Sequence, residues 1–256
     1  MDQPQIKIDF QDQVAEVAFY HPKANTFAME QLRELAEIFH SLGQDGSVRV
    51  IVLSSLGDKI FSAGAYFDEL LQLGDIEAGK IFFCGFAQVI LNMIRCPKPV
   101  VGCVRGKVIG GAVGLVSACD HAVASTNVSV RLSELSIGIG PFVIEPIIRR
   151  RIGSAHFMSL SLDPMGWRSA DWCKTVGLVA ETVADSDGLK NRVWNFARQL
   201  SSYSPEAMHE MKKMFWDGTD HWDGLLKKRA AISASLILTP YAKAYLRKFK
   251  QKMKRL

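Results

Sequence analysis

The chain has 256 residues, 48% hydrophobic and 22% charged, with a net charge of +5 and a pI near 8.9. That length is enough for a sizeable core in one large domain, or a domain with an appendage. The composition excludes a stapled mini-protein, a low-complexity chain and a repeat array.

The alternation in "IKIDFQDQVAEVAFYHP" predicts two short strands. "TFAMEQLRELAEIFHSL" places Phe27, Leu32, Leu35, Ile38, Phe39 and Leu42 at helical spacing. "VRVIVLSSLG" reads as a buried strand ending in a turn, and a loop after Gly64 leads into the helical "AGKIFFCGFAQVILNMIRC". "PKPVVGCVRG" is the next buried strand. It opens into "GKVIGGAVGLVSACD", Gly106 to Asp120, a small-residue helix that starts at bare glycines. Gly110 and Gly111 either admit an anion to the unpaired N–H groups of the helix start, or only permit close helix packing. Neither the G-x-x-x-x-G-K-[ST] nor the G-x-G-x-x-G spacing is present, so a nucleotide phosphate is not the indicated guest.

"DHAVAST" and "VSVRLSEL" supply further short strands. From Ile144 the texture becomes helix, loop and helix, through "EPIIRRRIGSAHFMSLSL", "SADWCKTVGLV", "GLKNRVWNFARQLSSY" and "SPEAMHEMKKMFWDGTDHWDGLLKKRAAISASLIL". In the last, Ser204 is the expected N-cap with Pro205 at the first helical position. Its Met208, Met211, Met214, Phe215 and Trp216 read as core or subunit contact. The division is therefore an α/β core over 1–200 and a helical C-terminal region over 201–256, with no flexible linker between them.

Cys84, Cys96, Cys103, Cys119 and Cys173 lack C-x-x-C spacing and read as buried free thiols; no H-E-x-x-H pair supports a metal site. The longest apolar stretch, Val108 to Cys119, is too short to span a bilayer, and "MDQPQIKIDF" lacks the features of a signal peptide. A cytoplasmic protein without membrane partner is expected. The positive excess sits at the C-terminus, in Lys243, Arg247, Lys248, Lys250, Lys252, Lys254 and Arg255. It is either a solvated helix face or a surface for an anionic cofactor; no nucleic-acid-binding motif accompanies it.

Three segments stand in order: "KIFSAGAYFDEL" from Lys59, "KPVVGCVRGKVIGGAVGLVSACD" from Lys98, and "VRLSELSIGIGP" from Val130. With "VRVIVLSS" ahead of them, the chain resembles the enoyl-CoA hydratase/isomerase, or crotonase, superfamily over essentially its whole length. The resemblance implies a spiral of ββα turns with a helical trimerisation region, assembled as a homotrimer or hexamer. It also implies an acyl-CoA thioester substrate, with coenzyme A present only as part of that substrate. The backbone N–H groups of Ala65 and Gly111 match an oxyanion hole, where donors stabilise the charge gained by the thioester oxygen. Glu134 matches the second catalytic acid of the family, against the alternative of a capping glutamate in an ordinary loop.

The first acid of well-studied hydratases corresponds to Gly114, so it is missing. One carboxyl with a tuned pKa can serve reversible hydration or double-bond migration, and both chemistries stay open. Ala63 and the backbone near it are expected at the adenine. Tyr66, in place of the customary Asp, either contacts coenzyme A or packs in the core. Tyr245 and Lys248, in "KAYLRKF", are candidates for adenine and phosphate. "GGAVGL" with "LSELSIGIGPFVIEP" resembles the subgroup that hydrates 3-methylglutaconyl-CoA, with Phe142, Val143 and Ile144 reshaping the acyl pocket. Lys107 is then the candidate cation for the distal carboxylate, the alternative being a solvent-exposed lysine. A non-catalytic RNA-binding or scaffolding protein on this fold is the reading from a different class.

Overall fold

The computed structural model describes residues 3–184 and 186–253. It opens with a hairpin of β1 (Gln5–Gln11) and β2 (Val14–Tyr20), joined by Asp12 and Gln13, both at positive φ as a two-residue hairpin turn requires. Then follow α1 (Met29–Gln44), β3 (Val50–Ser55), β4 (Ile60–Ser62), α2 (Phe67–Gln72) and α3 (Ile76–Arg95). The next turns are β5 (Val100–Val104), β6 (Lys107–Ile109) and α4 (Gly111–Ala118), then β7 (His121–Ser125) and β8 (Ser129–Arg131). A single 3-10 turn, Glu134–Ile137, follows β8 where the sequence suggested continued strand. After it come α5 (Glu145–Leu162), β9 (Arg168–Ser169), α6 (Ala170–Thr175) and β10 (Glu181–Val183). The chain finishes through α7 (Ser186–Ser201), α8 (Pro205–Phe215), α9 (Trp222–Ile237) and α10 (Pro240–Met253).

Two sheets result, in the orders β1-β2-β3-β5-β7-β10 and β4-β6-β8-β9. The pairs from β2 to β10 are parallel, as are β4 with β6 and β6 with β8; β8 and β9 run antiparallel. From β3 to β8 each turn of the spiral thus gives one strand to the large sheet and the next to the small one. β3 and β5 are buried along their whole length because the large sheet is covered on both faces. Phe39, Phe86 and Ile90 of α1 and α3 lie in the main core, while Leu189, Val193 and Ala197 of α7 pack on Val50, Val52 and Val101.

The Ser204 cap is present, its Oγ accepting from the Ala207 N–H at 3.2 Å. α8 is anchored by Lys212, whose buried ammonium pairs with Asp120 at 2.8 Å and donates to the Met93 and Lys98 carbonyls. Trp216 is buried, but Met211, Met214 and Phe215 are exposed on the single chain, so they are not core. All five cysteines are free; four are buried and Cys84 is partly so. Among the described residues one helix, α3, is long and apolar enough to cross a membrane, where the sequence pattern predicts no stretch of that length, yet more than half of it is buried in the fold. α10 lies across α2: Lys243 donates to the Leu70, Leu71 and Leu73 carbonyls, Lys250 pairs with Asp68, and Phe249 meets Phe67 at 4.7 Å. Arg247 and Lys248 are exposed, whereas Lys254 and Arg255, and the side chain of Lys252, lie outside the described residues.

Candidate active site

The residues after β4 run beside the loop that precedes α1. Ala63 donates to the Ala24 carbonyl at 3.0 Å, Phe27 to the Gly64 carbonyl at 2.7 Å, and Tyr66 to the Phe27 carbonyl at 2.9 Å. Phe27 and Ala65 thereby form a parallel bridge. The peptide groups on either side of Ala65 are used up toward Phe27, so the N–H of Ala65 itself turns the other way. Gly64 is at φ +79°, and a methyl there would lie 2.8 Å from the Ile109 carbonyl oxygen and 3.3 Å from the Gly111 nitrogen. Only a residue without Cβ lets these two backbones meet.

Across that contact, β6 ends and α4 begins. The Gly110 N–H donates to the Arg131 carbonyl at 3.0 Å, which leaves Gly111 as the first residue of the helix with an orphan N–H at its positive end. Among the described residues, neither the Ala65 nor the Gly111 N–H has a protein acceptor. Both residues line one cleft that opens to solvent.

Glu134 enters the same cleft from the start of its 3-10 turn and is 9% exposed. Its Oε1 faces Gly110 so closely that a methyl on that residue would lie 3.0 Å away; Oε2 is buried without a hydrogen-bond partner. Burial among Ile137, Ile139, Val143 and their neighbours pushes its pKa up to about 7, because an apolar surrounding disfavours the charged carboxylate. A buried carboxyl with an unused oxygen, beside two unused main-chain donors, can move a proton at a carbon whose neighbouring oxygen gathers charge.

The place of the absent acid is sealed. A methyl on Gly114 would lie 2.5 Å from Ile144 Cγ2 and 3.4 Å from Ile90 Cδ1, so these side chains already fill the space. Phe142 lines the cleft with its ring against Gly140, and Ile144 lines it as well.

Of the remaining expected residues, Ala63 lines the cleft and four do not. Tyr66 turns its hydroxyl to Asp68 at 3.0 Å and its ring to His21 at 4.7 Å. Tyr245 sits behind the Glu134 turn, its hydroxyl 3.5 Å from Ser136 Oγ, and Lys248 is exposed on α10. Lys107 points away from the cleft: it is exposed on β6, with its ammonium 5.3 Å from the Trp167 ring, which Arg131 also covers at 4.4 Å. None of the cleft-lining residues is a cation. Sequence reasoning missed Ser133, Phe67, Phe83 of α3 and Ser233 of α9, all of which line it. Proximity of α9 to this cleft is a long-range result of packing, and no local signal in "AAISASLIL" announces it.

The paired parallel sheets, the spiral and the helical C-terminal region together make the α/β crotonase fold. The crystal structure of an enoyl-CoA hydratase from Bacillus halodurans superposes with a TM-score of 0.88, covering 95% of this chain and 99% of that one at 20% identity. The sequence pattern of the Enoyl-CoA hydratase/isomerase family matches residues 9–248, and the chain belongs to that family. Among relatives, it is 34% identical over 192 residues to the bacillaene synthase dehydratase PksH of Bacillus subtilis, covering 72% of this chain and 71% of that protein. It is 27% identical over 215 residues to the short-chain-enoyl-CoA hydratase of Clostridium acetobutylicum, covering 83% and 81%.

Proposed function

We propose that the protein is a hydratase/dehydratase, a lyase that adds or removes water across the α,β-bond of a short, branched acyl thioester, with coenzyme A as part of the substrate. The observation that carries this reading is the buried Glu134 carboxyl, one oxygen of it without a hydrogen-bond partner, lining one cleft with the two free main-chain donors. In the dehydrating direction the Glu134 carboxylate takes the proton on the α-carbon. The electron pair moves onto the thioester oxygen, held by the Ala65 and Gly111 N–H groups. As that pair returns to form the double bond, the β-carbon to oxygen bond breaks and Glu134 gives its proton to the departing hydroxide. Water and the α,β-unsaturated thioester result, Glu134 is a carboxylate again, and hydration is the reverse. A pKa near 7 supports both roles, since either form is accessible near neutral pH. The dehydratase and hydratase names of the relatives support the same class.

The apolar wall formed by Phe142 and Ile144 supports a compact, branched acyl group. For a 3-methylglutaconyl group, the distal carboxylate would have the Ser133 and Ser233 hydroxyls and solvent at the cleft mouth as partners in place of a cation. The test incubates the protein in ¹⁸O-water with crotonyl-, 3-methylcrotonyl-, 3-methylglutaconyl- and 3-hexenoyl-CoA. Incorporation of ¹⁸O at the β-carbon is the expected result. Double-bond migration without ¹⁸O would overturn the hydratase reading in favour of the isomerase.

The assembly that goes with this reading is a trimer, or a hexamer of two trimers. Its support is the run of exposed apolar side chains at Met158, Leu162, Met165, Met211, Met214 and Phe215, which a partner copy would cover. Sedimentation equilibrium giving a monomer at micromolar concentration would overturn it.

A further inference from the structure

Loop 21–27 carries polar chemistry that the proposed reaction does not use. Asn25 is buried, and it follows Ala24 in a left-handed stretch at φ +56° and +51°. Two consecutive residues other than glycine in that region need a local cause, although Asn tolerates it better than most. The Asn25 side chain supplies that cause with three hydrogen bonds. Its Oδ1 accepts from the His21 N–H at 3.0 Å, and its Nδ2 donates to the Leu56 carbonyl at 2.9 Å and the Ile60 carbonyl at 3.1 Å. The first bond closes the loop on itself. The other two fasten it to the turn between β3 and β4.

β4 then leads directly into Ala63, whose N–H is held by the carbonyl of Ala24, the residue before Asn25. Two residues past Asn25, Phe27 holds the peptides on either side of Ala65. The direction of the Ala65 N–H is therefore set by where residues 24–27 lie relative to the exit of β4. Asn25 is the side chain that ties those two stretches together.

We propose that Asn25 is a positioning residue for the oxyanion hole, acting through Ala24 and Phe27 to aim the Ala65 N–H at the thioester oxygen. This rests on the thioester reading given above. The role differs from general support of the fold because it reaches one donor. The opposite donor, at Gly111, follows Gly110, whose own N–H is held by the Arg131 carbonyl and not by loop 21–27. A misplacement of about 1 Å at a reacting group can cost on the order of 100-fold, and loss of an oxyanion donor about 100-fold to 1000-fold.

The test uses Asn25→Gly, which keeps the left-handed backbone accessible while removing all three bonds, and Asn25→Asp, which removes the two donated bonds only. For each folded variant the expected result is a kcat for crotonyl-CoA lowered about 10-fold to 100-fold with KM within about twofold, since a donor used in the transition state has been displaced. A second readout needs no turnover: the infrared carbonyl stretch of butyryl-CoA labelled with ¹³C at the thioester carbon, bound to the protein. Two aimed donors lower its frequency relative to free butyryl-CoA in the wild type, and in the variants it moves back toward the free value. A lowered band unchanged in the variants, or an unchanged kcat, would overturn the role of Asn25 while leaving the thioester reading intact. A wild-type band at the free value would overturn the oxyanion hole itself and the Asn25 role with it.

Discussion

Replacing Glu134 by glutamine should make the protein nearly inactive and, above neutral pH, more stable than the wild type relative to acid conditions. The fold holds this carboxyl at a pKa of about 7, raised by burial from an ordinary value of 4.5. The folded protein consequently binds the Glu134 proton more tightly than the unfolded chain does. Its contribution to stability is fully present below the unfolded pKa and is lost as pH rises through the folded one. A difference of about 2.5 units corresponds to about 3 kcal/mol, nearly all of it expressed between about pH 4 and about pH 8. Glutamine has nearly the same shape and no proton to exchange. Any pH-independent cost of its buried amide cancels when the comparison is made between two pH values. Urea unfolding of both proteins at the two ends of that range should show their stability difference changing by about 3 kcal/mol in favour of Gln at the alkaline end. A difference constant with pH would refute the claim that Glu134 is held away from its ordinary state. In the same wild-type samples, kcat/KM should rise with pH and level off above about 7, because each direction of the reaction starts from the carboxylate.

Gly114→Ala should destabilise by about 1 to 3 kcal/mol through overpacking against Ile144, and adding Ile144→Ala should make the pair cost less than the sum of the singles in thermal unfolding; strict additivity would contradict the contact. Lys212→Met should cost about 3 to 5 kcal/mol in urea by stranding the Asp120 carboxylate, and a loss below about 1 kcal/mol would show the pair to be dispensable. Lys107→Met should leave KM alike for 3-methylglutaconyl-CoA and 3-methylcrotonyl-CoA, since its ammonium stacks on Trp167 outside the cleft; a rise for the dicarboxylyl substrate alone would bring Lys107 back as its partner.

Parts of the site that depend on the backbone were legible from the chain. The "SAGA" and "IGGA" segments, each after a buried strand, resemble the family's motifs, and it is that resemblance which implies that successive turns of one spiral bring Ala65 and Gly111 together. Glu134 was legible only through the resemblance of "LSEL" and its flanking motifs to the family, and the segment around it leaves the strand at Arg131 and coils into a 3-10 turn. Side-chain directions were less legible. Lys107 and Ile109 share one face of a three-residue strand, opposite buried Val108, and what that face meets follows from register with β4 and β8 rather than from composition. The basic C-terminal run was legible as a helix with charge. That Lys243 would cap the carbonyls of α2 required knowing that residues about 170 apart in sequence pack together. Ile144 in the place of the missing acid belongs to the same kind: "GPFVIEP" announces a changed loop, but only the packed fold brings its isoleucine onto Gly114.

Both proposed electrophilic donors are main-chain amides, and this bears on how such a cleft diversifies. A point substitution removes a side-chain donor in one step, but short of proline it leaves an amide N–H in place. Drift can therefore alter Phe142, Ile144 or Ser233, and with them the shape and polarity offered to an acyl group, while the means of stabilising an enolate passes unchanged from one descendant to the next. The vulnerable positions are those where a side chain strains the backbone that aims the donors, Gly64 and Gly110 at positive φ among them, so heritable loss of the chemistry should begin there before it begins in the pocket walls.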